Sequence, residues 1–255
     1  MDEPTRTRLQ EMLTVEKYPL SAKYPPEWVL ENEIGPNALW LMEWLCETID
    51  LKPGMRVLDM GCGKAMSSIF LAKEFDVQVW ANDLWIDATD NWERICDAGV
   101  ATHVFPIHAE ARSLPYAHGF FDAIVSVDSY HYYGTDDLYL KFFAKFVKPS
   151  GQIGIVVPGL MQNFEGDMPS YLERFWDPGE CFSFHTVEWW QRHWEQTRLV
   201  EIEVADTQPD GWRDWLLFEE AKAAAETNRF DEEAPALRAD GGRYLGFVRM
   251  VARRR

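Results

Sequence analysis

The chain has 255 residues, of which 47% are hydrophobic and 14% aromatic, and it carries a formal net charge of −17. This length and composition are enough to bury a full core, so a disordered protein is excluded and one domain with elaborations is expected. The negative charge repels phosphate backbones and anionic membrane surfaces. It disfavours nucleic acids and membranes as partners and leaves a cationic or neutral small molecule.

The amino-terminal residues MDEPTRTRLQ contain no apolar stretch, and nowhere do about 18 apolar residues run together. The cysteines stand far apart and form no CxxC pair, which fits a reduced compartment better than a disulfide framework. They are Cys46, Cys62, Cys96 and Cys181. We therefore expect a cytoplasmic protein that acts as a monomer or homodimer.

Short β-branched runs alternate with helical patterns along the whole chain, an alternation that is typical of βαβ units. Apolar residues in consecutive positions, at 123–127 and 153–157, are typical of strands covered on both faces. The pattern predicts an α/β fold with a doubly wound, mostly parallel sheet and helices on both faces. Its strands are MRVLDM, VQVWAND, THVFPIH, DAIVSVD, QIGIVVP, LVEIEVAD and RYLGFVRMVA.

Helix signals agree with this alternation. Gly35 and Pro36 open NALWLMEWLCETI, Asp136 can cap DLYLKFFAKFV, and Thr186 can cap VEWWQRHWEQT. We assign residues 1–50 to an amino-terminal helical cap and residues 51–255 to the main domain. Within that domain, residues from about 158 to 198 are rich in Trp, Phe, Pro and Gly, which indicates an inserted lid.

A tight glycine turn follows the first strand in VLDMGCGKAMSS, at residues 57–68. In open parallel sheets this turn gives a ligand its closest approach to the backbone. A dinucleotide fingerprint needs a small residue where Met66 stands, and the spacing of a Walker A loop is absent. A seat for a pyrophosphate or a nucleotide triphosphate is therefore disfavoured.

Two later positions indicate a nucleoside without phosphates. Asp83 ends the second strand twenty residues after Gly63, where an acid can accept both hydroxyls of a ribose. Glu110 and Ala111 follow the third strand, where a carboxylate and a backbone N–H could meet the edge of an adenine.

In these motifs the chain resembles the class I S-adenosylmethionine-dependent methyltransferases of the small-molecule type, which include ubiquinone and menaquinone methyltransferases. The match runs in order through VLDMGCGKA, ANDLW, AEARSLPYAHGFFDAIVS and FVKPSGQIGIVVP. The resemblance implies a Rossmann-like fold with S-adenosylmethionine as cofactor and a small-molecule substrate. It assigns Asp59, Gly61, Cys62 and Gly63 to the methionine portion, Asp83 to the ribose, Leu84 or Trp85 to the purine face, and Glu110 with Ala111 to the adenine.

The sequence departs from the family at two positions. Ala65 stands where a third glycine is usual, and we expect it to take up helical geometry and narrow the turn without closing it. Glu110 stands where aspartate is usual and lengthens the reach of the carboxylate. Lys64 between these motifs either points to water or contacts the cofactor carboxylate.

Polar residues crowd the end of the fourth strand in SVDSYHYYGTDD, where a methyl acceptor would meet the cofactor. In-line methyl transfer depends mostly on alignment and exclusion of water, so a base is optional. His131 is the candidate for a general base or substrate positioner, or else a histidine merely hydrogen-bonded at the strand end. Asp128 could orient the methionine amine or the imidazole, or only cap a helix. Tyr132 and Tyr133 could face a cation, or belong to the core.

The predicted lid also carries Cys181, His185 and His193, but no fourth ligand stands at a recognised interval, so no metal site is assigned. Its aromatic residues are expected partly to wall an apolar pocket and partly to be core. They are Phe164, Tyr171, Phe175, Trp176, Phe182 and Phe184. Tyr18, Tyr24 and Trp28 in the amino-terminal segment either fold over the cofactor or strap the sheet.

The leading hypothesis is methyl transfer to nitrogen or oxygen of a small molecule. One alternative is an enzyme that consumes S-adenosylmethionine itself, by intramolecular displacement on its aminocarboxypropyl chain. Another is a regulatory protein that binds the cofactor without catalysis.

Overall fold

The β-branched runs form one mixed sheet in the computed structural model, which describes residues 2–179, 181–227 and 232–255. The strands are β1 (Arg56–Met60), β2 (Gln78–Asp83), β3 (Val104–His108), β4 (Phe121–Val127), β5 (Val147–Leu160), β6 (Val200–Thr207) and β7 (Leu245–Arg254). They lie in the order β3-β2-β1-β4-β5-β7-β6. Strands β1 to β5 pair in parallel, and β7 is antiparallel to both β5 and β6. The predicted seven-stranded, mostly parallel sheet is confirmed.

The strand order reverses at β1, which has β2 on one side and β4 on the other. From β1 the chain runs outwards through β2 to β3 at one edge of the sheet. It then crosses back over the sheet to β4, on the other side of β1. A crevice forms at such a point beyond the carboxyl ends of the strands. The fold therefore places the glycine turn after β1 at the mouth of this crevice.

Helices pack on both faces of the sheet. They are α1 (Glu3–Leu13), α2 (Pro26–Asn32), α3 (Ala38–Cys46), α4 (Met66–Phe75), α5 (Ala88–Asp97), α6 (Tyr139–Phe143), α7 (Val187–Glu195), α8 (Gly211–Ala224) and α9 (Glu233–Asp240). Thr186 caps α7 as predicted, since its side chain accepts a hydrogen bond from the N–H of Trp189. Asn37 caps α3. Helix α6 is shorter than predicted and has no side-chain cap. Asp136 accepts a hydrogen bond from the N–H of Leu138, the residue ahead of the helix.

The amino-terminal fifty residues pack into the same core as the sheet. The ring of Tyr18 stacks on Trp40 of α3 with centroids 5.6 Å apart, and its hydroxyl donates to Asp214 Oδ2 of α8 over 2.7 Å. The ring of Tyr24 packs on Phe70 of α4. These two tyrosines therefore strap the helical layer, which is the second of the two roles that the sequence allowed them.

The segment between β5 and α7 packs against the carboxyl-terminal elements. The ring of Phe164 contacts Tyr244 with centroids 5.0 Å apart, and Phe175 contacts Trp215 of α8 at 6.0 Å. Only Phe182 of the predicted lid aromatics is largely exposed, at 65%. Within the described ranges, no helix combines the length and the apolar character that crossing a membrane requires.

Candidate functional site

A cavity of about 220 Å³ lies in the crevice beyond β1, β2 and β4. The loops that follow these strands form its floor and sides, and the chain between α2 and α3 forms one wall. Its lining consists of Asn32, Ile34, Gly35, Pro36, Ala38, Met60–Lys64, Met66, Ser67, Asp83–Trp85, Glu110–Arg112, Val127–Ser129, Tyr132 and Tyr133. The sequence-predicted residues Gly61, Cys62, Gly63, Asp83, Leu84, Trp85, Glu110, Ala111, Asp128, Tyr132 and Tyr133 are all in this lining.

The glycine turn is the floor of the cavity, and at Gly61 only glycine fits. Gly61 has φ +73°, and a Cβ there would lie 1.8 Å from Ser129 Oγ. Gly63 has φ +54°, and its Cβ would lie 2.9 Å from the flexible end of Ile34. Both residues are in the left-handed region, which glycine enters without a steric penalty.

Ala65 also adopts the left-handed conformation, with φ +61° and ψ +18°, as the residue before α4. The expectation that it would take up helical geometry is wrong, because the turn needs a third positive φ before the helix can begin. This conformation costs an alanine about 1–2 kcal/mol. It also explains why a glycine suits the position.

Asp83 is fixed by three backbone donors. Its Oδ1 accepts from the N–H groups of Trp85 (2.7 Å) and Ile86 (3.0 Å), and its Oδ2 accepts from Gly63 (2.8 Å). A carboxylate oxygen has two lone pairs, so Oδ2 keeps one for a further donor such as a sugar hydroxyl. The side chain is preorganised at the edge of the cavity where the sequence placed it.

Asp59 lies behind the cavity and does not line it. Its side chain is fully buried, and its Oδ2 accepts from the hydroxyls of Ser67 and Ser68, each over 2.6 Å. Burial raises the pKa of Asp59 to about 6, against the opposing effect of the two hydroxyl donors. Because Ser67 does line the cavity, Asp59 reaches a ligand only through that hydroxyl.

Glu110 and Arg112 form an ion pair at the end of the cavity next to β3. Glu110 Oε2 accepts from the N–H of Arg112 over 2.7 Å, and Oε1 lies 3.1 Å from Arg112 Nη1. The carboxylate is thus partly engaged, and Ala111 beside it also lines the cavity. At this end of the cavity, the Glu110 carboxylate is held in one orientation by Arg112 and can accept a hydrogen bond from a ligand.

The loop after β4 supplies Asp128, Tyr132 and Tyr133 to the opposite side. Asp128 has φ +52°, and its Oδ2 sits so close to Gly35 that a Cβ on that glycine would lie 2.6 Å away. The Tyr133 hydroxyl lies 3.2 Å from the hydroxyls of both Ser126 and Ser129. Burial raises the pKa of this phenol, so it remains protonated and serves to hold the loop.

His131 points away from the cavity. Its side chain is 2% exposed, and its ring lies 4.1 Å from that of Tyr132 and 5.8 Å from that of Phe184, measured between centroids. Burial lowers the pKa of His131 to about 3, so the imidazole is neutral at physiological pH. His131, the residue predicted as a base, is therefore not part of the cavity lining and packs against Tyr132.

The wall between α2 and α3 was not predicted at the level of its residues. Ile34 and Gly35 face the glycine turn and Asp128, and Lys64 Nζ donates to the backbone carbonyl of Glu31 over 2.7 Å. Lys64 thus binds the wall of the cavity, and its contact with the cofactor carboxylate stays a prediction. The Gly35-Pro36 pair marked a chain break, but nothing in the local sequence showed which strand ends it would cover.

The rings of both lid histidines stack on the ring of Trp189. Ring centroids of His185 and Trp189 lie 3.7 Å apart, and those of Trp189 and His193 lie 4.6 Å apart. His193 Nε2 lies 3.0 Å from the carbonyl of Gly134. These contacts are packing contacts, and Cys181 lies near the carbonyl of Phe175 instead.

Residues 57–151 match the sequence model of a family described as Methyltransferase domain. Phosphoethanolamine N-methyltransferase 3 of Arabidopsis thaliana is 30% identical over 48% of this chain and 25% of its own length. Demethylmenaquinone methyltransferase of Corynebacterium efficiens is 32% identical over 43% of this chain and 44% of its own. The matched part of the chain thus spans a quarter of the length of the first relative and less than half of the length of the second.

Solved structures resemble the whole chain. A geranyl diphosphate C-methyltransferase from Streptomyces coelicolor, bound to S-adenosyl-L-homocysteine, has a TM-score of 0.70 at 16% identity, with 100% of this chain and 94% of that chain covered. Phosphoethanolamine N-methyltransferase 2 of Haemonchus contortus, bound to S-adenosyl-L-methionine, has a TM-score of 0.71 at 18% identity, covering 98% and 60%. At these identities the likeness shows the fold, which is Rossmann-like.

Proposed function

We propose that the chain transfers a methyl group from S-adenosylmethionine to a small organic molecule, with nitrogen or oxygen as the acceptor atom. The match of residues 57–151 to the family model described as Methyltransferase domain supports this proposal. The observation that carries this proposal is the floor of the cavity. There a turn that excludes any Cβ at Gly61 lies beside an Asp83 carboxylate already held by three N–H donors.

The charges of the lining suit a nucleoside joined to a sulfonium amino acid. Three carboxylates line the cavity, those of Asp83, Glu110 and Asp128, and its two cations are both engaged, Lys64 with the Glu31 carbonyl and Arg112 with Glu110. A phosphate group would bring further negative charge next to these carboxylates. An excess of carboxylates instead favours a positively charged ligand.

We assign the cofactor's parts to the residues around the cavity by this geometry and by the family resemblance. Asp83 would hold the ribose, Leu84 and the backbone of Ala111 the adenine, and Asp128 with the glycine turn the amino acid end. S-adenosylmethionine, when bound there, supplies a methyl group that an acceptor can attack in line. The chain itself contributes alignment and exclusion of water, and no imidazole is needed at the reacting atoms.

Cofactor binding can be tested by titration calorimetry with S-adenosylhomocysteine. The Asp83→Ala variant should bind about 10-fold to 100-fold more weakly, because it loses hydrogen bonds to a charged group. Asp90→Ala, which removes an exposed carboxylate from the first turn of α5, should bind like the wild type. Equal affinity in all three proteins would remove the ribose assignment.

Activity can be tested by incubation with methyl-labelled S-adenosylmethionine and a metabolite extract, followed by a mass search for labelled products. The proposal predicts a labelled product that disappears without the extract. Breakdown of the cofactor in the absence of extract would instead show that the cofactor is the reactant. Tight binding with no product under either condition would show a protein that binds without catalysis.

A further inference from the structure

The 109–113 loop follows β3 and supplies Glu110, Ala111 and Arg112 to the lining of the cavity. Its first three carbonyl oxygens each accept a hydrogen bond. The donor to the second of them is the backbone N–H of Ser113, over 2.9 Å. The donors to the other two are side chains from outside the loop. The orientation of the loop therefore depends on residues elsewhere in the chain.

Asn82 of β2 fixes the beginning of the loop. Its side chain is fully buried, its Nδ2 donates to the carbonyl of Ala109 over 2.9 Å, and its Oδ1 accepts from the hydroxyl of Tyr116 over 3.3 Å. The N–H of Ala109 donates to the carbonyl of Asp83 over 3.0 Å. Because a peptide group is planar, these contacts give the group that joins Ala109 to Glu110 a single orientation.

Tyr139 of α6 fixes the end of the loop. Its hydroxyl donates to the carbonyl of Ala111 over 3.2 Å, and its buried ring stacks on Phe143 with centroids 5.2 Å apart. In a planar trans peptide group the N–H points opposite to the C=O. The N–H of Arg112 therefore points away from the Tyr139 hydroxyl, and it donates to Glu110 Oε2 over 2.7 Å. Tyr139 thus sets the direction of the donor that orients the Glu110 carboxylate.

The proposed function places the adenine beside Ala111, and Glu110 is the neighbouring carboxylate of the lining. An adenine edge presents an amino group that donates and a ring nitrogen that accepts, whereas hypoxanthine presents a carbonyl oxygen and a ring N–H. A carboxylate held in one place accepts from the amino group and repels the carbonyl oxygen. A carboxylate that is free to turn aside discriminates less between the two purines. A glutamate side chain has more rotatable bonds than an aspartate, so its carboxylate needs more contacts to stay in place.

We propose that Asn82 and Tyr139 are positioning residues, which act through the 109–113 loop to make the cavity select an adenine-bearing cofactor over its hypoxanthine analogue. This inference rests on the proposed function and assigns its purine specificity to two residues outside the cavity. Neither side chain lines the cavity, so each acts on a bound purine through the loop that it holds.

The inference can be tested by titration calorimetry of the full-length protein with S-adenosylhomocysteine and with S-inosylhomocysteine. The two compounds share the ribose and the amino acid, so the ratio of their affinities isolates the purine. The wild type should prefer the adenine compound at least about 100-fold. Asn82→Leu leaves the Ala109 carbonyl without its donor and should lower this ratio about tenfold. Tyr139→Phe loses one neutral hydrogen bond and should lower it about threefold.

Two matched controls separate positioning from general loosening of the fold. Asn91 is also a buried asparagine, but its Nδ2 donates to the carbonyl of Gly63 in the glycine turn over 2.9 Å. Asn91→Leu should weaken binding of both compounds by the same factor and leave the ratio unchanged. The ring of Tyr130 lies 5.7 Å from that of Tyr139, and within the described residues its hydroxyl makes no hydrogen bond to the loop. Tyr130→Phe should bind both compounds like the wild type.

A wild-type ratio in both Asn82→Leu and Tyr139→Phe would overturn the inference. If Asn82→Leu does not fold, Tyr139→Phe decides alone, because it keeps the packing of the ring. A fall of the ratio in Asn91→Leu as large as that in Asn82→Leu would also overturn it, because the ratio would then report only a looser fold. No binding of S-adenosylhomocysteine to the wild type defeats the proposed function. Normal binding without a preference over S-inosylhomocysteine defeats only this inference.

Discussion

The floor and the roof of the cavity are held in place by different forces. The floor, formed by the glycine turn and Asp83, is held by left-handed backbone and by hydrogen bonds between residues at most twenty-eight positions apart. The roof, formed by residues 31–38 and by the rings of Trp85 and Tyr132, is held by side-chain contacts between segments far apart in the chain. Local sequence therefore dictates the floor, whereas the roof depends on tertiary packing and should tolerate change better.

The largest effect is expected from Gly61→Ala in the floor. Its Cβ would overlap Ser129 Oγ and Cβ, at 1.8 and 2.4 Å, so either the turn or the β4 loop must move. Affinity for S-adenosylhomocysteine, measured by calorimetry, should fall at least about 100-fold, which corresponds to roughly 3 kcal/mol.

Gly54→Ala is the control for backbone strain in that experiment. Gly54 has φ +78°, but a Cβ there meets nothing within 4 Å. Thermal unfolding should show a loss of about 1–2 kcal/mol with unchanged cofactor affinity. A Gly61→Ala protein that binds as tightly as Gly54→Ala would contradict the idea that the floor is sterically fixed.

His131 packs behind Tyr132, and the pH dependence of the free energy of unfolding tests whether its imidazole is buried and neutral. The pKa of His131 is about 3 in the folded protein and about 6.5 when unfolded, so the unfolded chain binds more protons between these values. The stability that the neutral imidazole confers is therefore complete above pH 6.5 and is lost as the pH falls towards 3. Between pH 7 and pH 5 the wild type should lose about 2 kcal/mol more than His131→Phe in urea unfolding.

The comparison needs no correction for the half-buried imidazole of His185, because His185 is present in both proteins. Its pKa is lowered to about 4, first by burial and then by His193, and it adds the same pH dependence to each. Parallel stability curves for the wild type and His131→Phe would show that His131 is charged, and accessible to water, when folded. Such a result would return it to the list of candidate bases.

Lys64→Met tests the link between floor and roof. The variant loses the hydrogen bond from Nζ to the Glu31 carbonyl, which at about 1 kcal/mol should accelerate release of S-adenosylhomocysteine about fivefold. Stopped-flow release measures this rate. Lys52→Met, which removes an exposed lysine beside Asp50, should leave it unchanged. A faster release in both variants would point to the more negative net charge, rather than the lost hydrogen bond, as the cause.

The smallest effect is expected at Ala65. Its replacement by glycine removes the cost of a left-handed alanine but also a buried methyl group, so the free energy of unfolding should change by less than about 1 kcal/mol. Ala72→Gly in α4 loses a buried methyl group without any such relief, and should be destabilised by about 1 kcal/mol or more. Equal losses would mean that Ala65 is not strained.

The sheet and the floor could be predicted from sequence because their signals are local. Consecutive apolar residues marked the parallel strands, and the spacing of Gly61, Gly63 and Asp83 after two strand ends fixed their meeting point. The observed strand order confirms the doubly wound sheet that these patterns predicted. The assignment of individual cofactor contacts, in contrast, remains a prediction.

The remaining features escaped prediction because their causes are not local. His131 belongs to a polar motif at the right strand end, but Phe184, more than fifty residues later, buries it. Asp59 lies next to the end of β1, where a ligand contact is usual, yet the hydroxyls of Ser67 and Ser68 both donate to its Oδ2, and its side chain does not line the cavity. The wall at Ile34 could not be found either, because a contact with Gly63 leaves no periodic signal.

The carboxylate of Asp83 joins the two parts of the cavity. It accepts from Gly63 in the turn below a ligand and from Trp85 at the base of the ring above it. A hydroxyl that donates to the same carboxylate enters a bonding pattern shared by both segments. Loss of this one carboxylate would therefore release the glycine turn and the start of the Trp85 segment together.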